Sequence, residues 1–221
     1  MMGYCSRRKA DDYIEKGMVS INGKKAVLGQ KIEKTDNVEV SKKIKKLPAS
    51  YEYYLFNKPV GIVSHDPQEN EEGVADVFKT QSKVDPIGRL DKLSQGLMFL
   101  TNDGRIVNKM LSPEFGHEKE YQIWVDKDLT DSFKRKMQSG VSIEGYMTKP
   151  AKFKQTGPKS FRLILTEGKK HQIRRMAMAL GFQVKKLRRI RIMNLKLGTL
   201  PAGKGRPLSI EEKMELMESL K

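Results

Sequence analysis

One cysteine in 221 residues, Cys5, leaves no partner for an intrachain disulfide and excludes a disulfide-stapled extracellular scaffold. No long uncharged apolar run is present, so nothing reads as a membrane span, and the first residues do not read as a signal peptide. No basic amphipathic anchor or lipidation signal is present either. The expected compartment is a reducing cytoplasm. The three histidines, His65, His117 and His171, lie far apart, and no Cys/His/Asp cluster has metal-ligand spacing. Walker-type and dinucleotide glycine loops are missing. These gaps argue against metal, nucleotide and redox cofactors, so none is expected.

Acidic residues are scarce where basic ones crowd. The net charge is +16. Between Ala151 and Lys196 fourteen Lys or Arg stand against one acid, Glu167, so +13 of the +16 resides there. A local basic field fits a phosphate backbone better than general solubility does. At 38% hydrophobic residues the chain can still bury a core.

The pattern divides the chain near residues 47 and 48. Ser6 can cap a helix running through Ala10, Tyr13 and Ile14 to a stop at Gly17. Asn22-Gly23 between short apolar runs predicts a hairpin, and Val38 and Val40 a further strand. Ser41 to Ser50, with four lysines and Pro48, reads as a linker. Beyond it, strands are predicted over Tyr51–Phe56, Gly96–Thr101, Lys119–Val125, Phe161–Leu165 and around Leu187–Ile192. Helices are predicted near Met110, over Thr130–Gln138 and His171–Leu180, and after the Ser209/Glu212 capping box. Strands and helices mix without strict alternation, which points to an α+β fold with a mainly antiparallel sheet.

Three segments carry chemistry. Gly88-Arg-Leu-Asp-Lys-Leu-Ser-Gln-Gly-Leu97 places the Asp91 carboxylate in a glycine-bounded loop before an apolar strand. Arg89 and Lys92 would favour its charged form, which can act as nucleophile or base. Taken alone, Asp91 better fits a turn carboxylate in a local ion pair. Tyr121 begins a strand, and alone it is a core tyrosine; a stacking platform for an extruded base is the functional alternative. Gly168-Lys-Lys-His-Gln-Ile-Arg-Arg175 leads from a strand into a basic helix. Arg174, next to apolar Ile173, requires an anionic partner, and Asp91 is the expected one. Arg175 and Lys170 are expected to face phosphate, with Lys169, Lys185, Lys186, Arg188 and Arg189. Arg7 and Arg8 fit RNA contact or a solvated face.

Together these segments resemble the pseudouridine synthases that modify ribosomal RNA, the group of small-subunit synthase A and large-subunit synthases B, E and F. Gly88-Arg-Leu-Asp91 with Ser94-Gln-Gly-Leu97 looks like the catalytic loop, Lys119-Glu-Tyr121 the tyrosine motif, and Gly168-Lys-Lys-His-Gln-Ile-Arg174 the basic motif. Leu187 matches the apolar residue that follows. His117-Glu-Lys-Glu-Tyr121, Gly140-Val-Ser-Ile-Glu-Gly145 and Arg189-Ile-Arg-Ile-Met-Asn194 look most like the synthase F branch of that group. Residues 1–47 resemble the RNA-binding module named after small-subunit ribosomal protein four. The chain starts almost at its Gly-Tyr-Cys-Ser-Arg-Arg signature, so the module is expected to lack its first helix.

The resemblance implies a catalytic domain over 48–221 that isomerises a uridine without cofactor or metal. Asp91 is then the essential carboxylate, as nucleophile at the anomeric carbon or as base at the neighbouring sugar carbon. Arg174 would hold it, Tyr121 would stack on the uracil, Leu187 would pack the other side, and Arg89 would fill the place of the flipped base. The implied partner is RNA, 23S ribosomal RNA first and transfer RNA second, bound by a monomer. A non-catalytic RNA-binding or ribosome-assembly protein is the competing class; the joint presence of Asp91, Tyr121 and Arg174 argues against it. A DNA-binding regulator finds no recognition-helix pair.

Overall fold

The computed structural model describes residues 7–44, 51–80 and 82–221, with the side chains of Arg7 and Arg8 outside the described set. The chain divides into two units, Met1–Ser50 and Tyr51–Lys221. The expected boundary between residues 47 and 48 and most of the expected linker fall in residues 45–50, outside the described residues, as do the Ser6 cap and Cys5.

In the first unit, helix α1 (Arg7–Glu15) ends where Gly17 takes a left-handed φ of +64°. Strands β1 (Val19–Ile21), β2 (Lys24–Lys25) and β3 (Val38–Val40) form an antiparallel sheet in the order β2-β1-β3. The β1–β2 turn is the expected Asn22-Gly23, both left-handed (φ 50° and 79°), as a two-residue hairpin turn demands. The Asn22 amide also donates to Asp36 Oδ1 at 2.8 Å and its carbonyl accepts from the Asn37 N–H at 2.8 Å, pinning the returning strand.

The second unit runs β4 (Tyr53–Lys58), α2 (Val74–Val77), β5 (Asp85–Ile87), β6 (Gln95–Thr101), α3 (Val107–Leu111), a 3-10 turn (Pro113–Phe115), β7 (Lys119–Val125) and α4 (Asp131–Ser139). It continues with β8 (Ser142–Ile143), β9 (Tyr146–Met147), β10 (Lys152–Gly157), β11 (Ser160–Leu165), α5 (Gln172–Ala179), β12 (Val184–Ile192), β13 (Leu195–Lys196), β14 (Gly205–Pro207) and α6 (Ile210–Ser219). The main sheet has the order β10-β11-β7-β12-β6-β4-β14. All its pairings are antiparallel except β12 with β6, which bears out the expected α+β class with a mainly antiparallel sheet.

β6 is a central strand buried on both faces. Met98 and Leu100 join a core with Phe56, Ile123, Phe161 and Leu163, closed by Phe133 and Met137 of α4 and by Ile173, Met176 and Ala177 of α5. Leu97 and Phe99 face a second core with Leu55, Ile106, Met110, Leu195 and Leu216, closed by α3 and α6. The two-sided burial explains why Gly96 to Leu100 reads as a continuous apolar run and not as an alternating one. Thr130 caps α4 by accepting the Phe133 N–H at 3.1 Å, and Ser209 with Glu212 forms the expected capping box on α6.

β6 and β12 meet at one position of very close approach. Gly96, at φ +124°, pairs with Arg189, and a Cβ there would sit 2.3 Å from the Arg189 carbonyl oxygen. Glycine is needed for both reasons at once: no L side chain adopts that backbone comfortably, and no atom fits the gap.

Candidate active site

Asp91 sits between β5 and β6, and what holds this loop is unusually complete. From Gly88 to Leu93 six successive backbone carbonyls each accept a hydrogen bond. His65 Nε2 donates to Gly88 (3.0 Å), Arg189 Nη1 to Arg89 (3.1 Å) and the Ser64 hydroxyl to Leu90 (2.7 Å). The Ser94 N–H donates to Asp91 (2.9 Å), the Gly61 N–H to Lys92 (2.9 Å) and Arg174 Nη2 to Leu93 (3.0 Å). The Ser64 hydroxyl in turn accepts from the Leu90 N–H at 2.9 Å. A loop so tied fixes the backbone from which the Asp91 side chain projects, a first requirement for placing a reacting group.

The carboxylate opens onto a cavity of ≈ 570 Å³ whose walls include Arg89, Tyr121, Lys170, Arg174, Leu187 and Arg189. Seven of the thirteen expected site residues, Asp91 among them, therefore meet at one place. The register explains how: β7 and β12 pair Tyr121 with Arg189 and Ile123 with Leu187, so these alternate side chains share one face of the sheet. β12 is shifted in register between Val184 and Lys186 and between Arg189 and Arg191, which re-aims its basic side chains.

Several expected contacts take another form. Arg174 does not pair with Asp91. Its guanidinium donates to the carbonyls of Val184 (3.0 Å) and Leu93 (3.0 Å), bridging the start of β12 to the loop. The expectation failed because backbone carbonyls, invisible to charge counting, take up both outer nitrogens of this half-buried guanidinium. Lys92 is also turned away from Asp91 and pairs with Glu71 at 2.8 Å. Arg189, expected at phosphate, is only 3% exposed and spans the Leu97 and Arg89 carbonyls (2.7 and 3.1 Å). The alternation of β12 puts it on the inner face. Arg175, likewise expected at phosphate, forms an ion pair with Glu144 and donates to the Lys170 carbonyl. Lys185 and Lys186 are exposed, with Lys186 Nζ 5.0 Å from the Trp124 ring centre; Arg188 is half-buried on the same strand. The Arg7 and Arg8 side chains lie outside the described residues.

Four participants were not picked out from the sequence. His171 Nε2 stands 3.4 Å from Asp91 Oδ1. Lys58, read as part of a turn, is fully buried and donates to the carbonyls of Pro59 (2.9 Å) and Ile62 (2.7 Å). Burial pushes its amine down to about 8; the charge of Asp91 opposes that shift and Arg189 adds to it. Lys119, on the cavity wall, is lowered by burial and by Arg189. Glu167, the lone acid of the basic segment, is buried and accepts from Tyr146 Oη (2.6 Å), the Lys149 N–H (3.0 Å) and Gln172 Nε2 (2.7 Å). It fastens the turn before α5. Among the described residues, no group of three or more His, Cys, Asp or Glu side chains could hold a metal ion.

The site is thus a carboxylate on a fixed loop among cations, with an aromatic ring and an apolar wall beside it. A family model described as RNA pseudouridylate synthase matches residues 52–179. The chain is 46% identical over 218 residues to the dual-specificity RNA pseudouridine synthase RluF of Escherichia coli O6:H1 (strain CFT073), covering 98% of this chain and 75% of that protein. It is 35% identical over 221 residues to the ribosomal large subunit pseudouridine synthase B of Bacillus subtilis (strain 168), covering 95% and 89%. A crystal structure of a pseudouridylate synthase superimposes with a TM-score of 0.73 at 27% identity, over 100% of this chain and 96% of that one.

Proposed function

The chain belongs to the RNA pseudouridylate synthase family and is an isomerase of that class, and on this premise we propose that Asp91 carries the reaction on a uridine of 23S ribosomal RNA, with a transfer RNA as second substrate. The observation that carries the reading is the loop of six bonded carbonyls that presents Asp91 to the cavity.

Isomerisation breaks the N1–C1′ bond, turns the uracil and joins C5 to C1′; the proton lost from C5 is balanced by one taken up at N1. Asp91 meets the ribose, either at C1′ as nucleophile, in the manner of a retaining glycosidase, or at C2′ as base. Tyr121 stacks on the uracil and stands next to the proton lost from C5. Leu187 packs the opposite side, and the exposed Arg89 enters the helix where the base has left. Arg174 and Arg189 act through the backbone of the loop. Extruding a base costs a few kcal/mol, offset by phosphate contacts of Lys169, Lys170, Lys185, Lys186 and Arg188.

Ribosomal and transfer RNA as substrates are supported by two things: the relatives' names, which include large-subunit and dual-specificity synthases, and the basic surface. The helix and three-stranded sheet of the first unit form a small RNA-binding module of the ribosomal-protein-four type, and Arg7 and Arg8 contribute to it. The protein works as a cytoplasmic monomer; no described helix is long and apolar enough to cross a membrane. Mapping pseudouridines in ribosomal and transfer RNA from cells with and without the gene tests the assignment. Loss of one 23S site and one transfer RNA site is expected. Unchanged maps would overturn the substrate assignment.

A further inference from the structure

We infer that His171 is the positioning residue of Asp91, orienting the carboxylate through its Nε2–H. The inference rests on the reading of Asp91 as the reacting group.

Among the described residues, the only side chain in ion-pair contact with the Asp91 carboxylate is His171, Nε2 to Oδ1 at 3.4 Å. Arg174 and Arg189, the cations closest in sequence logic, are engaged with backbone carbonyls. Lys58 donates to two carbonyls, and Lys92 is on Glu71. The loop backbone fixes where Asp91 begins, but leaves its χ angles to be set by what the carboxylate meets.

The backbone at His171 is the second observation. The residue precedes α5 and holds φ +52°, ψ 26°, a left-handed conformation that a non-glycine side chain adopts at a cost. The structure around it enforces that conformation. Gln172 bonds back to the Lys169 N–H (2.9 Å) and to the buried Glu167 (2.7 Å), and Arg175 N–H bonds to the His171 carbonyl (3.0 Å). Glycine or asparagine would suit this position better if the chain only had to turn. A histidine there brings an imidazole across the mouth of the cavity to Asp91, half-exposed and able to adjust when substrate enters.

Two substitutions separate the two roles, because they rank in opposite order. Asparagine tolerates the left-handed backbone but is too short to replace Nε2. Glutamine suits the backbone less well, yet its amide nitrogen reaches about where Nε2 stood. Single-turnover tritium release from a 5-tritiated, unmodified 23S ribosomal RNA transcript reads the chemistry at saturating enzyme. His171→Gln should keep at least about a third of the wild-type rate, and His171→Asn should lose about tenfold or more, with RNA affinity within about twofold for both. His171→Gly, the variant freest of backbone strain, should regain rate on addition of imidazole, and this decides the matter should the glutamine protein be unstable. Asparagine matching or exceeding glutamine, or no recovery with imidazole, overturns the inference. Asp91→Asn is run beside them: if it turns over, the reading of Asp91 itself fails; if it is inactive and the histidine variants rank the wrong way, only the role of His171 fails.

Discussion

Arg189 donates to the carbonyls of Arg89, two residues before Asp91, and of Leu97, six residues after it. One guanidinium thus binds both ends of the loop that carries the carboxylate, from a strand, β12, that also forms the cavity wall. A residue first counted as a phosphate contact is an internal brace.

That brace leads to the first expectation. Arg189→Met fills much of the space but removes the donor to the buried Leu97 carbonyl and to the part-buried Arg89 carbonyl. Stability should drop by about 2–4 kcal/mol, the usual cost of lost charged hydrogen bonds in the interior. Single-turnover rate should fall at least tenfold, with RNA affinity changed little. Urea unfolding and binding titrations check this. An equal loss of affinity and rate would return Arg189 to the RNA-contacting surface.

Gly96 carries a separate expectation. Gly96→Ala must move the β12 backbone by the better part of an ångström or distort its own left-handed φ. A loss of about 3 kcal/mol or more is expected, in the range of severe backbone substitutions. Gly168→Ala, with open space at its Cβ and no left-handed φ, should change stability by about 0.5 kcal/mol or less. Similar midpoints for the two variants in urea would show that the close β6–β12 approach is not under steric control.

Much of this was legible in the sequence, and the limits have physical causes. Periodicity located β7, α4, α5 and α6, because each has one buried stripe or face, and α4 and α6 also carry a recognisable side-chain cap. The motifs brought Asp91, Tyr121, Arg174 and Leu187 to one cavity. β10 escaped because its face toward solvent is almost entirely polar, and β14 because it is three residues long at a sheet edge. The roles of Arg174, Arg189 and Lys58 escaped because their partners are main-chain carbonyls, which every residue has and no sequence marks. The register of β12 shifts at both ends of the alternating stretch that turns Leu187 and Arg189 inward, and a string of letters does not show where a register shifts.

Of the proposed phosphate contacts, Arg175 and Arg189 are engaged within the protein, which leaves Lys169, Lys170, Lys185, Lys186 and Arg188. With roughly four of these engaged, log affinity should fall with log salt at a slope of about −3 to −4. Exchanging Lys185 and Lys186 together for alanine should flatten that slope by about one to two units and leave the saturated rate nearly unchanged. Filter binding across a salt series reads the first, single-turnover assays the second. An unchanged slope with a lost rate would move these lysines from the track to the pocket.

The central claim is that the Asp91 carboxylate does the chemistry. Asp91→Asn keeps the size and shape of the side chain and removes its charge. The direct measurement is pseudouridine formed by the purified variant on unmodified 23S ribosomal RNA at saturating enzyme, beside RNA affinity from the same preparation. No detectable product is expected, with affinity within about threefold of wild type, since the proposed binding contacts are to phosphates elsewhere. Substantial turnover by a folded Asp91→Asn protein would contradict the claim.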